Sequence, residues 1–444
     1  MGFLDRYFQL RSNNTSVKTE LLAGMTTFVS AMYIIVVNPL IVAPSGLPFS
    51  AVLTATVILS AFCTLAMGLY AKVPVLVASG MGLNAFFTYT VVLGDGVKPE
   101  VALGAVFWAG VIFLILSVFN VRNWIVKAIP QQLRFAVSAG IGLFISLIGF
   151  SNAGFIIGKS PLIGMGFMNE ITITFLIGLF ITAILVTRKV KGALILGIII
   201  TTLLAIPIGR LWGSAATASN SVATLVTFNG IYAAPDFSLL FKLDLVNSLS
   251  LSLWPVIFSI VFTDLFDSIS SLIGVAEAGN LKDKNGEPLH LKKSLIVDSV
   301  ATGLAGVLGT TAGTAYIESA TGVKEGGRTG LTAVVAGLLF IPFMFFSPLL
   351  SMVPSMATAP ALVLVGVFMA IPILKINWKN YDDSIPAFLA MILIPFTYSI
   401  TNGLIWGFLS WTVLKIMMGK YKEISPVLLV VDALAIVLLF FDKG

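Results

Sequence analysis

Apolar residues run along this chain in blocks, separated by short polar stretches. A helix needs about 20 such residues to cross the hydrocarbon core of a bilayer. The blocks predict spans at 20–43, 51–71, 75–93, 101–120, 133–156, 169–187 and 191–213. A polar stretch, 214–246, follows. Further spans are predicted at 247–275, 294–309, 311–323, 328–350, 357–374, 386–401, 402–418 and 425–441. The pattern reads as seven spans, a long loop, seven spans and one extra segment. Two blocks are irregular. Segment 75–93 follows Pro74 and holds Gly80, Gly82 and Asn84; segment 311–323 is short and rich in Gly, Thr and Ala. Each is third in its half. Interrupted segments at matching places in two halves point to a transporter site built from broken helices.

Composition agrees. The 444 residues are 58% hydrophobic and 10% charged, whereas a soluble domain carries about 25% charged residues. The blocks are continuous, which excludes the alternating strands of an outer-membrane barrel. The net charge of +6 comes from Lys and Arg on short loops and is no nucleic-acid signal. One cysteine, Cys63, and one histidine, His290, leave no disulfide, no cysteine metal site and no histidine-based hydrolase. The polar residues 1–19 show no cleavable leader, so the first span is expected to act as an uncleaved anchor. With the N-terminus inside, every Lys and Arg falls on the cytoplasmic side except Lys98, Lys159, Arg210, Lys242 and the terminal Lys443. That threading places the chain in the cytoplasmic membrane as a multi-pass protein with inverted halves.

Five acids fall inside predicted spans: Asp264, Asp267, Asp298, Glu318 and Asp432. A charged side chain at bilayer depth costs about 2.5–3.5 kcal/mol on insertion scales and is kept where it faces a cavity or a partner. No Lys or Arg lies at comparable depth beside these acids. Such carboxyls suit a carrier that takes up and releases a proton. Asp264 and Glu318 are expected to face one polar cavity at the membrane midplane. Asp267 stands three residues on from Asp264 and shares its helix face. The competing structural role, capping a broken helix or bonding backbone, fits Asp432 best and Asp298 next.

The run Ser79-Gly80-Met81-Gly82-Leu83-Asn84-Ala85-Phe86-Phe87 combines glycines, one amide and two aromatics. Backbone N–H groups freed at a helix break can bond a polar solute, and a Phe ring can stack on a flat one. A glycine-packed helix contact is the alternative. Gly309 to Ala315 reads the same way and could form a short extended segment crossing the first; extended backbone at this depth must line protein or a cavity. The charged loop Glu277–Lys293 holds the turn pair Asn285-Gly286, and His290 is expected to be a solvated loop residue. Gly326-Gly327-Arg328-Thr329 lacks the strand and the spacing of a nucleotide loop.

Several ordered motifs carry a resemblance. They are Asn13-Asn14-Thr15 with Gly24-Met25-Thr26-Thr27-Phe28, Val37-Asn38-Pro39, Gly80 to Phe87, and Ala139-Gly140-Ile141-Gly142-Leu143-Phe144. Asp264-Leu265-Phe266-Asp267-Ser268, Thr314-Ala315-Tyr316-Ile317-Glu318-Ser319 and Gly326 to Ala333 complete the set. Over essentially its whole length the sequence resembles the AzgA-like purine permeases, a branch of the nucleobase–cation symporter-2 (nucleobase–ascorbate transporter) superfamily. The resemblance implies an all-α polytopic membrane fold, a 7+7 inverted repeat with core and gate domains and short β-strands within spans 3 and 10. On the residues of this chain it implies a cytoplasmic 1–19, core spans 1–4 at 20–120 and gate spans 5–7 at 121–213. An extracytoplasmic loop at 214–246, core spans 8–11 at 247–350, gate spans 12–14 at 351–418 and a hydrophobic C-terminal segment at 419–444 follow.

The resemblance also implies uptake of a purine nucleobase by proton symport, with the core moving elevator-fashion against the gate. Substrate contacts fall on Asp264, Glu318, Asn84, Ala85, Phe86, Ser268, Ile317 and Thr314. Proton coupling falls on Asp264, Glu318 and Asp267, and Asn38, Asp298 and Thr263 stand behind them. No cofactor, metal or nucleic-acid partner is expected; the partners are the purine, the proton and the lipid bilayer, and a homodimer is admitted. One departure is Ser270-Ser271, where the family usually has Gly-Thr; it puts the local helix geometry in question. The Gly-Met-Gly-Leu-Asn form is closer to adenine and broad purine carriers than to the guanine/hypoxanthine subgroup. The alternatives are an anion carrier or channel on the same fold, which two midplane acids oppose, and an intramembrane aspartyl protease. Enzymatic activity is not expected.

Overall fold

The computed structural model describes residues 3–119, 129–159, 162–211, 230–284 and 286–441, with 226 and 228. Most of the predicted spans emerge as helices. Spans 1 and 2 are Val17–Ser45 and Phe49–Ala71, span 4 is Pro99–Val118, and spans 5 and 6 are Gln131–Asn152 and Glu170–Thr187. Span 8 is Leu251–Gly279, span 12 Ser355–Lys375 and span 14 Ile400–Met417. Those eight are long and apolar enough to cross a membrane. Spans 7 and 11 are the shorter apolar helices Ala193–Ile208 and Gly330–Phe345. Spans 9 and 13 are Leu291–Leu308 and Tyr381–Phe396.

Spans 3 and 10 are the broken ones. Span 3 is strand β1 (Val77–Ser79) followed by the helix Met81–Val92. Span 10 contains a strand at Gly313–Ala315 and a short helix, Ser319–Lys324. The two strands pair antiparallel in the register Val77 with Ala315, Ala78 with Thr314 and Ser79 with Gly313. The fold is therefore the 7+7 inverted repeat, and its two halves meet backbone to backbone through their third elements.

Local chemistry explains the element ends. Ser16, Asn169, Thr329 and Ser399 each accept a hydrogen bond from a first-turn N–H of the following helix, the usual N-cap arrangement. Span 5 was expected to run to residue 156 but ends at Asn152. Gly154 turns left-handed (φ +67) and the Phe155 N–H returns to Phe150 O, which closes the helix as a glycine-terminated cap. An unexpected hairpin follows, β2 (Ile156–Lys159) and β3 (Leu162–Met165); the strand of span 10 is thus β4. Span 13 was expected at 386–401 but starts at Tyr381 and ends at Phe396. Hydropathy places Asp382 and Asp383 outside the span, yet both pair with the buried Lys415 and so can sit in its first turn. Of the polar stretch 214–246, residues 214–225 lie outside the described residues.

Spans 1–4 pack on spans 8–11, and spans 5–7 pack on spans 12–14. Backbones come close where side chains are absent. A Cβ on Gly110 would lie 2.1 Å from the Gly303 nitrogen, so spans 4 and 9 touch main chain to main chain, a small-residue contact common between membrane helices. The helix Pro426–Phe441 lies against span 14, where Thr412 donates to Asp432 at 2.5 Å.

Candidate substrate site

The β1–β4 pair is held from all sides by hydroxyl groups. Thr64 of span 2 both donates to Val77 O and accepts from Val77 N, each at 3.0 Å. Ser268 of span 8 accepts from Ala315 N at 3.1 Å, and Ser319 accepts from Leu76 N at 2.9 Å. Thr302 of span 9 donates to Gly313 O at 3.1 Å. The Tyr316 hydroxyl donates to Ser79 O at 2.5 Å. A two-stranded ribbon three residues long would not persist alone. These bonds satisfy the backbone groups that a break in a membrane helix leaves open.

Beside the ribbon lies a cavity of about 60 Å³. Tyr33, Met81, Gly82, Asp267, Ser271, Thr314, Tyr316 and Glu318 line it from spans 1, 3, 8 and 10, and Val365 and Met369 face them from span 12. It sits on the seam between the two packing groups. Tyr33 lies where span 1 breaks between Val17–Ala31 and Ile34–Val42, and its hydroxyl donates to Glu318 Oε1 at 2.7 Å. Asp267 of span 8 and Glu318 of span 10 both border this space.

A larger cavity of about 480 Å³ adjoins it, sharing Asp267, Ile317 and Met369. It runs between spans 5, 8 and 12 past Thr263, Phe266 and Ser270 to Arg134, Glu277 and Lys375. Those last residues lie on the face that carries the N-terminus.

The expected site residues divide into two sets. Glu318, Thr314 and Ile317 border the small cavity, as does Asp267; Thr263 borders the larger one. Asp264 borders neither. It is fully buried behind β4, where the Thr302 hydroxyl donates to its Oδ2. Asp298, one turn before Thr302 on span 9, is buried in the same pocket of polarity near Ser268. Asn84 accepts from Thr311, and Thr311 reaches Asn38 Oδ1 at 3.4 Å. Asn38 in turn donates to Thr56 at 2.7 Å and Thr310 at 2.9 Å. That buried network ties spans 1, 2, 3 and 10 together. Ala85 and Phe86 are packed away from both cavities. Tyr33, Tyr316, Ser271, Val365 and Met369 were missed from sequence. For Ser271 a signal existed: it follows Asp267 by four residues and shares its helix face. Tyr316 had one too, two residues before Glu318 in the same motif; Tyr33, Val365 and Met369 lie far away in the chain.

Known proteins agree with this architecture. A Permease family model, Xan_ur_permease, matches residues 18–405. The adenine permease AdeP of Escherichia coli (strain K12) is 41% identical over 444 residues, covering 99% of this chain and 96% of that protein. The guanine/hypoxanthine permease PbuO of Bacillus subtilis (strain 168) is 40% identical over 439 residues, covering 98% and 99%. Among solved structures, the transmembrane domain of the cyanobacterial bicarbonate transporter BicA superposes with a TM-score of 0.64. It covers 90% of this chain and 98% of its own at 14% identity, which speaks for the fold alone.

Proposed function

The chain belongs to the Permease family (Xan_ur_permease), and from that premise we propose that it carries a purine nucleobase inward across the cell membrane by proton symport. The observation that carries the reading is the meeting of Asp267 and Glu318, from spans 8 and 10, in one cavity on the seam between the two packing groups. A purine edge alternates donors and acceptors. Carboxylate oxygens accept its N–H groups, and the Ser271 hydroxyl and the protonated carboxyl, both at the cavity wall, supply the complementary donors. Met81, Val365 and Met369 offer apolar surface to its faces. The relatives' names bring the substrate class: adenine for AdeP, guanine and hypoxanthine for PbuO.

In this reading spans 1–4 and 8–11 form the core and spans 5–7 and 12–14 the gate. The Lys and Arg bias sets the N-terminal face inside. The cavity that reaches Asp267 from that face then makes this the inward-open state. Asp267 carries the proton, because it touches both the substrate cavity and the path to the cytoplasm. Protonation outside discharges the site so that a neutral base enters without leaving a buried charge unpaired. The core then slides against the gate, and base and proton leave inward. Asp264 supports β4 through Thr302 and takes no part in contact.

The fold shared with the bicarbonate transporter BicA raises an anion carrier as a second reading, but an anion would meet two carboxyls and no cation in the small cavity. The test is radiolabelled purine uptake, with unlabelled purines and pyrimidines as competitors, with and without a protonophore. Glu318→Gln and Asp267→Asn should each abolish uptake. Wild-type rates in both remove the site, and uptake indifferent to the protonophore removes the proton.

A further inference from the structure

A third cavity, of about 260 Å³, opens on the N-terminal face, away from the transport seam. Four separate pieces of chain build it: the N-terminal segment with Tyr7, Phe8 and Gln9, the turn Lys72–Val75, the loop Pro288–Lys293, and Arg328-Thr329. Its floor is apolar, with Val275 and Ala276 of span 8. Its polar lining is cationic. Lys72, Lys293 and Arg328 border it beside the neutral His290, and no Asp or Glu does.

These cations have not found anionic partners. Lys72, Lys293 and Arg328 form no salt bridge among the described residues. Lys72 Nζ lies 4.5 Å from the Tyr7 ring centre and Lys293 Nζ 5.6 Å from that of Tyr70, so aromatic faces hold both ammonium groups in place. Arg328 spends one terminal nitrogen on the carbonyls of Val323 and Gly327, at 2.5 and 2.8 Å, which leaves its other donors to spare. The nearby acid Glu20 is committed to the Arg328 N–H at 2.9 Å and to Thr332. Burial and the adjacent Lys293 and Lys72 hold the His290 imidazole below its usual range, which adds a neutral donor to the set.

Three fixed cations converging on a recess with no counter-charge make a receptor for a compact multivalent anion. We propose that this cavity binds a phosphate-bearing ligand at the cytoplasmic face. A phosphate offers the oxygens that Arg and Lys match best. Gln9 and Asn13 at the rim supply neutral hydrogen-bonding groups for whatever the phosphate carries. The sequence motif at Gly326–Thr329 lacks the strand and spacing of a nucleotide loop; the tertiary structure sets Lys72 and Lys293 beside its Arg328. The ligand is a soluble phosphomonoester or the headgroup of an anionic lipid, and the test separates them.

The full chain is placed in nanodiscs of phosphatidylcholine alone, and binding is read by calorimetry with inorganic phosphate, adenosine 5′-monophosphate and adenosine. The monophosphate should bind, adenosine should not, and added salt should weaken binding. Lys72→Gln with Lys293→Gln should weaken it about tenfold or more while purine uptake persists. Each single variant should show part of the loss, which guards against misfolding of the pair. A response confined to nanodiscs containing phosphatidylglycerol, and lost in the double variant, assigns the site to a lipid headgroup. No response to any phosphate, equal binding of adenosine, or undiminished binding in the double variant overturns the proposal. The binding readouts do not depend on which substrate is carried.

Discussion

The Tyr33 hydroxyl donates to Glu318 Oε1 at 2.7 Å, joining the break in span 1 to the residue that opens the helical part of span 10. Glu318 thereby keeps one orientation toward the cavity. A hydrogen bond to a charged or chargeable partner is worth about 1.5–3 kcal/mol. Tyr33→Phe should lower purine uptake efficiency by roughly tenfold or more with little change in thermal stability. Uptake kinetics beside a melting curve check it, and wild-type uptake would dismiss the pairing as incidental.

Asp264 and Asp267 stand three residues apart yet should behave differently. Asp267→Asn should remove the thermal shift that a purine produces. Asp264→Asn keeps a partner for Thr302 and should retain that shift, with lower yield or melting temperature. Equal loss of ligand response in both would return Asp264 to the contact surface.

Gly82 meets span 5 across the seam. A Cβ there would lie 2.4 Å from Ile141 Cγ2, and one of the two must move. Gly82→Ala should disfavour this arrangement of spans 3 and 5 and slow uptake severalfold. Ile141→Ala in the same chain removes the obstructing branch and should restore part of the rate. Failure of the second change to help would mean that the glycine serves the backbone alone.

Lys415 is almost wholly buried and bonds Asp382 at 2.8 Å, Asp383 at 3.0 Å and Glu423 at 2.7 Å. Removing one member of a buried charge cluster costs about 3–5 kcal/mol, because the remaining charges lose their partner. Lys415→Met should lower the melting temperature in detergent sharply. Asp382→Asn with Asp383→Asn and Lys415→Met should recover much of it.

On the face opposite the N-terminus, Ser50 donates to Asp236 Oδ2 at 2.6 Å. That bond, with help from the Ser238 N–H, holds the Asp236 carboxyl below its usual range. A group lowered on folding stabilises above its unfolded range and loses that contribution as pH falls through its folded value. Hydrogen-exchange protection around residues 230–246, taken relative to the intrinsic exchange rate at each pH, should therefore fall on acidification below the ordinary carboxylate range. Ser50→Ala should raise exchange at neutral pH and flatten this dependence; an unchanged acid response would exclude Asp236 as its source.

Burial in lipid imposes length and apolarity on every span, so the fourteen spans were legible as blocks of hydropathy. The two broken spans were legible too, because one follows Pro74 with Gly80, Gly82 and Asn84 close together and the other is too short to span and rich in Gly, Thr and Ala, the mark of a backbone that leaves the helix. Orientation within a span was not. Asp264 and Asp267 look equivalent in the chain; only the packing of β4 and Thr302 on one side of span 8, and the opening of a cavity on the other, separates a supporting acid from a facing one. Tyr33, Met369 and the cations at residues 72, 293 and 328 are ordinary residues until folding brings them together. Hydropathy depends on what each residue is, and sequence carries that in full; a site depends on which distant side chains share a few ångströms, and tertiary contact alone decides it.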